Sequence, residues 1–266
     1  MIDTHGRVIS MLRVSVTDRC NLRCVYCMPS GDVDFLPESA LLTDDEIFQA
    51  VQEGVAMGIK HVKLTGGEPL LRQGITELVR RLSGVTGIED LSMTTNGVLL
   101  GGMAGKLAQA GLSRINVSLD TMDAERYKQV TGGGDLQKVL EGIESARRAG
   151  LNPVKLNCVV QQNPEEPDAV AVAEFAREHG CQIRFILRMN MLTGDFHGIE
   201  GGRGGHCSKC DRLRLASDGK IRPCLFSDLS FDIRSRGPRK AFELALENKP
   251  EKGARCAQNW MHGIGG

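Results

Sequence analysis

Three cysteines stand in one octet, Cys20-Asn21-Leu22-Arg23-Cys24-Val25-Tyr26-Cys27, just after an apolar run. Spaced by three residues and then two, their thiolates can be wrapped by one short loop around a single metal cluster, and three is one ligand fewer than a four-iron cubane needs. The fourth iron is then open to a small molecule, whereas a fully ligated cluster only passes electrons. A structural zinc site is the alternative, and it asks for four closed ligands, usually as paired C-x2-C units. A second group, Cys207-Ser208-Lys209-Cys210 and then Cys224, follows far along the chain. Asp218-Gly219 signals a tight hairpin that brings Cys224 back toward the first two. A zinc ribbon is again the alternative. Cys256 can supply a fourth ligand there, which would close that cluster to substrate. Cys158, inside the apolar run Val154 to Val160, and Cys181 read as small buried apolar residues.

Other residues suggest ligand contacts by type and place. Gly66 and Gly67 follow a strand; Gly-Gly-Glu-Pro read alone is an ordinary turn, and the other reading is that the glycines let backbone approach a ligand while Glu68 accepts from an ammonium group. Arg212 and Arg214, two apart, project from one strand face and suit phosphate or purine acceptors; a solvated strand edge is the plainer reading. Lys155 stands in an apolar run, where its ammonium either meets a negative partner or reaches solvent from the strand end.

The elements that must position these residues alternate short β-rich runs with amphipathic segments, the pattern of β/α units around a parallel sheet. Strands are expected at 8–17, 61–64, 88–95, 114–119, 154–160 and 182–187. A helix opens at Thr43, where Thr43 and Glu46 fit a capping box, and stops near Gly58; further helices are expected at 123–130, 137–149 and 168–178. Polar residues finish strand after strand: Thr65-Gly66-Gly67-Glu68, Thr94-Thr95-Asn96-Gly97, Ser118-Leu119-Asp120. That repetition marks a βα barrel with its active site at the C-terminal rim. Six units predict an α/β fold, an incomplete (β/α)6 TIM-type barrel over 1–190. A Gly-rich linker, 191–206, and a cysteine module, 207–266, follow. Six of the 13 residues from Gly194 to His206 are glycine, which predicts a mobile connection.

Composition excludes some classes. The 33 basic residues balance 33 acidic ones, so no global field argues for nucleic acid or a membrane surface. No run approaches the ~18 apolar residues of a membrane span, and Met1 to Ser10 is not signal-like. Clustered cysteines without an export signal suggest metal in a reducing compartment, hence the cytoplasm. The apolar pattern shows no dimer face, and it leaves a homodimer open.

The octet, with an aromatic before its last cysteine and led by Leu12-Arg13-Val14-Ser15-Val16-Thr17-Asp18-Arg19, resembles the radical S-adenosylmethionine (SAM) enzymes. Among them it resembles the GTP 3',8-cyclases, which begin molybdenum cofactor biosynthesis, and the C-x2-C-x13-C spacing of Cys207, Cys210 and Cys224 matches their auxiliary cluster. The resemblance implies two [4Fe-4S] clusters, one on Cys20, Cys24 and Cys27 and one on Cys207, Cys210 and Cys224. It implies SAM contacts at Tyr26, Gly66, Gly67, Glu68, Ser118 and Met189, and GTP contacts at Arg13, Arg72, Thr94, Lys155, Arg212 and Arg214. It implies that a terminal Gly265-Gly266 tail enters the active site. The implied chemistry is reductive cleavage of SAM, abstraction of the ribose 3' hydrogen of GTP, and closure onto guanine C8 to 3',8-cyclo-7,8-dihydro-GTP. A flavodoxin- or ferredoxin-type reductant and a downstream pterin synthase are the implied partners.

One departure stands out. The chain reads Arg184-Phe185-Ile186-Leu187-Arg188-Met189 where the family usually has Glu at the position of Leu187, and only 17 residues separate Met189 from Cys207, where the family has several tens. It keeps two further readings in view: a radical SAM enzyme acting on another substrate such as a peptide, and a non-catalytic iron-sulfur electron-transfer relative.

Overall fold

Strands that alternate apolar and polar residues must send one set to the helices and the other somewhere that tolerates charge. In the computed structural model, which describes residues 1–28, 33–194, 196–199, 205–257 and 261–264, that is what organises the sheet. Six parallel strands, β1 (Met11–Ser15), β2 (His61–Thr65), β3 (Asp90–Thr95), β4 (Arg114–Ser118), β5 (Val154–Val160) and β6 (Gln182–Leu187), follow one another across it. Leu12 and Val14, Val62 and Leu64, Leu91 and Met93, Ile115 and Val117, Leu156 and Cys158 all belong to the buried core. Between them Arg13, Lys63, Thr94, Asn116 and Asn157 face a cavity on the other side. The interior is therefore not packed solid with branched apolar side chains; it is a cavity into which polar and charged strand residues project beside an apolar wall, which suits a binding site.

Helices α1 (Asp44–Ala56), α2 (Ile75–Ser83), α3 (Ala104–Gln109), α4 (Ala124–Thr131), α5 (Leu136–Arg148) and α6 (Pro167–Glu178) cover the apolar face. The expected capping box is present: Thr43 Oγ1 accepts from the Glu46 amide at 3.2 Å and the Glu46 carboxylate accepts from the Thr43 amide at 2.8 Å. Ile47, Ala50 and Val51 then bury one stripe of α1.

The segment after Cys210 continues the same sheet. β7 (Arg212–Leu215) lies parallel to β1, with Arg13 opposite Arg214, and β8 (Lys220–Arg222) and β9 (Phe231–Asp232) follow antiparallel. Among the described residues the order is β6-β5-β4-β3-β2-β1-β7-β8-β9, nine strands in one open sheet. Helices α7 (Ile233–Arg236), α8 (Pro238–Glu247) and the short α9 (Met261–Ile264) complete the chain. Phe242 of α8 is fully buried, and a methyl placed on Gly54 of α1 would lie 3.2 Å from its ring. The expected hairpin at Asp218-Gly219 is the β7–β8 turn, with Gly219 at φ 86°. Among the described residues no helix is long and apolar enough to cross a membrane.

Candidate active site

The first cysteine loop leaves the C-terminal end of β1 and is fastened on three sides. The Arg23 amide donates to Thr131 O at 2.8 Å and the Val25 amide to Val130 O at 3.0 Å, pinning the loop to the end of α4. There Gly132 holds φ 71°, and a Cβ on it would come within 2.9 Å of Arg23. On the second side the Gly67 amide donates to Thr17 O and the Glu68 amide to Arg19 O, at 2.8 and 2.7 Å. A Cβ on Gly67 would lie 2.3 Å from Arg19 O. The two glycines thus permit a close approach to the stem of the cysteine loop, and both also line the cavity beside it. On the third side Tyr26 Oη donates to Asp120 Oδ2 at 2.6 Å, while Asp120 Oδ1 accepts from the Val159 amide at 2.8 Å.

Cys20, Cys24 and Cys27 share one wall of a cavity of about 290 Å³. Burial is the largest influence on each and raises all three thiols, Cys27 to about 12; Cys27 and Cys20 add their charge against ionisation of Cys24. Thiols so placed ionise when a metal takes them. Among the described residues no three Cys, His or carboxylate side chains converge on a single metal ion. Three thiols with no fourth protein ligand beside them among the described residues of the wall suit a four-iron cluster with one iron open, by the chemistry of the donor set.

The second thiol group lies at the other end of the same cavity. Because β7 runs parallel to β1, Cys210 precedes the N-terminal end of the barrel strands, whereas Cys20 follows their C-terminal ends. Cys207, Cys210 and Cys224 all line the cavity. Burial opposes ionisation of Cys210, yet the Lys249 ammonium, the Arg212 amide and the Arg212 guanidinium bring its thiol below the ordinary value. Cys256 is buried elsewhere: its thiol donates to Asp228 Oδ1 at 3.2 Å, its amide donates to Met191 O at 2.8 Å, and it does not reach the cavity wall.

Between the two ends runs a belt of cations. Arg214, Arg13 and Lys63 sit at one level on neighbouring strands, and Arg212 and Arg184 join them at the wall. Lys63 is 4% exposed and donates to Asn116 Oδ1 at 3.4 Å. Burial, then the charges of Arg13, Arg114 and Arg184, push its ammonium down to about 6. Burial and the Arg212 charge likewise press Arg214 to about 10. Like charges gathered in a low-dielectric space ask for an anion.

Of the residues singled out from sequence, the structure brings Arg13, the six clustered cysteines, Tyr26, Gly66, Gly67, Thr94, Ser118, Met189, Arg212 and Arg214 to this cavity. Glu68 is buried behind it, accepting from Leu70 N, Thr95 Oγ1 and Asn96 N at 3.0, 2.6 and 2.7 Å. Burial raises its carboxyl to about 7 against those hydrogen bonds. Arg72 is also off the wall: its guanidinium donates to Asp44 Oδ1, Val16 O and Leu42 O. Lys155 shares the inward parity of Asn157 but is not among the lining residues. Gly265 and Gly266 lie outside the described residues; Met261, just before them, lines the cavity. Sequence reading missed Lys63, Arg184 and Lys249, all on the wall. The signal for the first two was a cation flanked by apolar residues in a parallel strand, as with Arg13. Phe196, His197, Ile199 and Gly205 of the Gly-rich connection line the same space.

Comparison with known proteins gives a consistent picture. The family model described as the Radical SAM superfamily matches residues 14–176. A GTP 3',8-cyclase of Petrotoga mobilis is 38% identical over 302 positions, covering 94% of each chain; one of Pelotomaculum thermopropionicum is 39% identical, covering 93% of this chain and 92% of its own. Since 94% of 266 residues is about 250, some 50 positions of the Petrotoga alignment have no residue here. Among solved structures, Streptococcus suis SuiB bound to S-adenosylmethionine superposes with a TM-score of 0.70 at 14% identity, over 92% of this chain and 65% of its own. Native anSMEcpe with bound AdoMet and a peptide gives 0.64 at 17% identity, over 91% and 81%. At such identities these two speak for the fold alone.

Proposed function

We infer that this chain, which belongs to the radical SAM superfamily and within it to the GTP 3',8-cyclases, closes the ribose 3' carbon of GTP onto guanine C8 inside the cavity between its two thiol groups. The observation that carries the reading is the arrangement along that cavity: three thiols at each end, and between them the Arg13, Arg184, Arg212 and Arg214 guanidiniums with the Lys63 amine among them. A nucleoside triphosphate supplies the negative charge this belt lacks, and guanidiniums match phosphate oxygens in pairs.

A four-iron cluster with SAM at Cys20, Cys24 and Cys27 supplies, when bound, a carbon radical able to abstract a sugar hydrogen. The protein's residues do the positioning. Tyr26, fixed by Asp120, and Gly66, Gly67, Ser118 and Met189 would hold SAM, with Glu68 bracing their turn from behind. Arg13, Lys63, Arg184, Arg212 and Arg214 would hold the triphosphate, and Thr94 the sugar. Cys207, Cys210 and Cys224 would hold a second four-iron cluster at the guanine end. Phe185, Leu187 and Phe196, apolar residues of the wall, would limit water on one flank. Of the sequence-based GTP contacts, Arg72 serves the fold, and Lys155 would need to turn toward the cavity. An electron carrier of the flavodoxin or ferredoxin type would feed the site, and a pterin synthase would consume the product.

The test is anaerobic. With both clusters reconstituted and dithionite, SAM and GTP supplied, mass spectrometry should show a cyclised nucleotide beside 5'-deoxyadenosine. Deoxyadenosine without a GTP-derived product would leave the radical machinery standing and overturn GTP as the substrate.

A further inference from the structure

Lys249, two residues past the end of α8, is 2% exposed, and a buried ammonium is costly without partners. Its Nζ donates to Arg212 O at 2.8 Å and to Pro223 O at 2.6 Å, and it lines the same cavity as Cys210 and Cys224. Arg212 follows Cys210 by two residues and Pro223 immediately precedes Cys224. One ammonium therefore ties together the two chain segments that carry two of the three thiols.

Arg7 does the same for the third. It is 8% exposed; its Nη1 donates to Cys207 O and to Glu251 O, each at 2.9 Å, its Nη2 to Pro250 O at 2.7 Å, and its Nε to Asp3 at 2.6 Å. The two cations differ in one respect. Arg7 has the Asp3 carboxylate to balance it, whereas burial disfavours the Lys249 ammonium and the groups that favour its charge are the Cys210 and Cys224 sulfurs when ionised. Two carbonyls alone could be bridged by a neutral amide. A lysine there places a positive charge against the thiol site.

We propose that Lys249 is a positioning residue of the second thiol site and sets its charge: held by Arg212 O and Pro223 O, its ammonium aligns Cys210 with Cys224 and offsets the negative charge of a four-iron cluster on them. The inference rests on the reading of Cys207, Cys210 and Cys224 as an iron-sulfur site. Reduction adds one electron to a cluster that three thiolates already make anionic, so a fixed cation beside two of them favours the reduced form and raises the potential. Lys249 and Arg7 thereby make the first nine residues and the segment after α8 parts of one cradle, since His5 Nε2 also lies 3.1 Å from Lys249 O.

The experiment uses the full chain with Cys20→Ala, Cys24→Ala and Cys27→Ala, which leaves only the second group to hold iron. After anaerobic reconstitution, iron and sulfide content and a redox titration followed by electron paramagnetic resonance are compared with and without Lys249→Gln and Lys249→Arg. The expected result is that Lys249→Gln, which keeps a donor and loses the charge, titrates at a more negative potential, while Lys249→Arg stays near the parent. An unchanged potential in Lys249→Gln overturns the proposal with the iron site intact. Loss of the far-ultraviolet dichroism of the iron-free Lys249→Gln chain also overturns it, because Lys249 would then serve the fold. Failure of the parent triple variant to take up four irons overturns the iron-sulfur reading itself.

Discussion

Tyr26 and Asp120 are 94 residues apart in sequence, and their side chains meet at 2.6 Å, joining the cysteine loop to the end of β4. The carboxylate is buried, its charge disfavoured first by that burial and stabilised by the Tyr26 phenol and the Val159 amide. Tyr26→Phe removes one of its two donors without changing the ring. It should lower the stability of the metal-free chain by about 1–2 kcal/mol in urea denaturation and speed loss of iron from the first site.

Lys63 gives a pH signature. Its ammonium ionises near 6 in the folded chain and near 10.5 ordinarily. Between those values the unfolded chain holds the extra proton, so stability should rise with pH through that window and fall as pH drops toward 6. Lys63→Met should flatten that slope. A bound triphosphate restores the proton, so GTP binding at about pH 8 should take up as much as about one proton. Calorimetry in two buffers of different protonation enthalpy measures the uptake, which Lys63→Met should abolish.

Arginines that the sequence grouped together should separate in their effects. Arg72→Ala strands Asp44 and two carbonyls and should cost about 2–3 kcal/mol of stability with no direct effect on GTP affinity. Arg212→Ala with Arg214→Ala removes two of the cavity's cations and should weaken GTP binding by about 100-fold or more while leaving the urea midpoint nearly unmoved.

Gly67→Ala drives a methyl into Arg19 O. Iron content after reconstitution should fall by about half, the loss confined to the first site, because the second group does not touch that turn. Retention of full iron would show that the stem can shift without opening the loop.

How much of this was legible followed the range of each interaction. The cysteine octet is local, and its spacing alone announces a three-thiolate loop. The capping box of Thr43 and Glu46 and the hairpin at Gly219 are local as well, and these two appear as read; the octet's three cysteines line one cavity. Whether Arg72 faces the cavity depends on which way the chain turns after Pro69-Leu70-Leu71, and the Asp44 carboxylate that claims it is 28 residues away. Glu68 is similar: Thr95 and Asn96 capture its carboxylate from the next strand. Lys63 shows its place only once Arg13 and Arg214 are known to lie at its level, since a lone lysine between apolar residues has no local partner to mark it. Nothing local shows that β7 pairs with β1, and that pairing sends the second thiol group to the far end.

That pairing also orders events during synthesis. Met11 lies opposite Arg212, about 200 residues later in the chain. At roughly 5–20 residues per second, β1 waits some 10–40 seconds on the ribosome with one edge unpaired. An open edge is an invitation to mispair, and an inward-pointing charge such as Arg13 is a known deterrent. The nascent chain thus completes its first cysteine loop, the turn of Gly66 and Gly67 and the α4 anchor well before the second thiol group emerges. The guanidinium that later lines the cavity guards the strand in the interval.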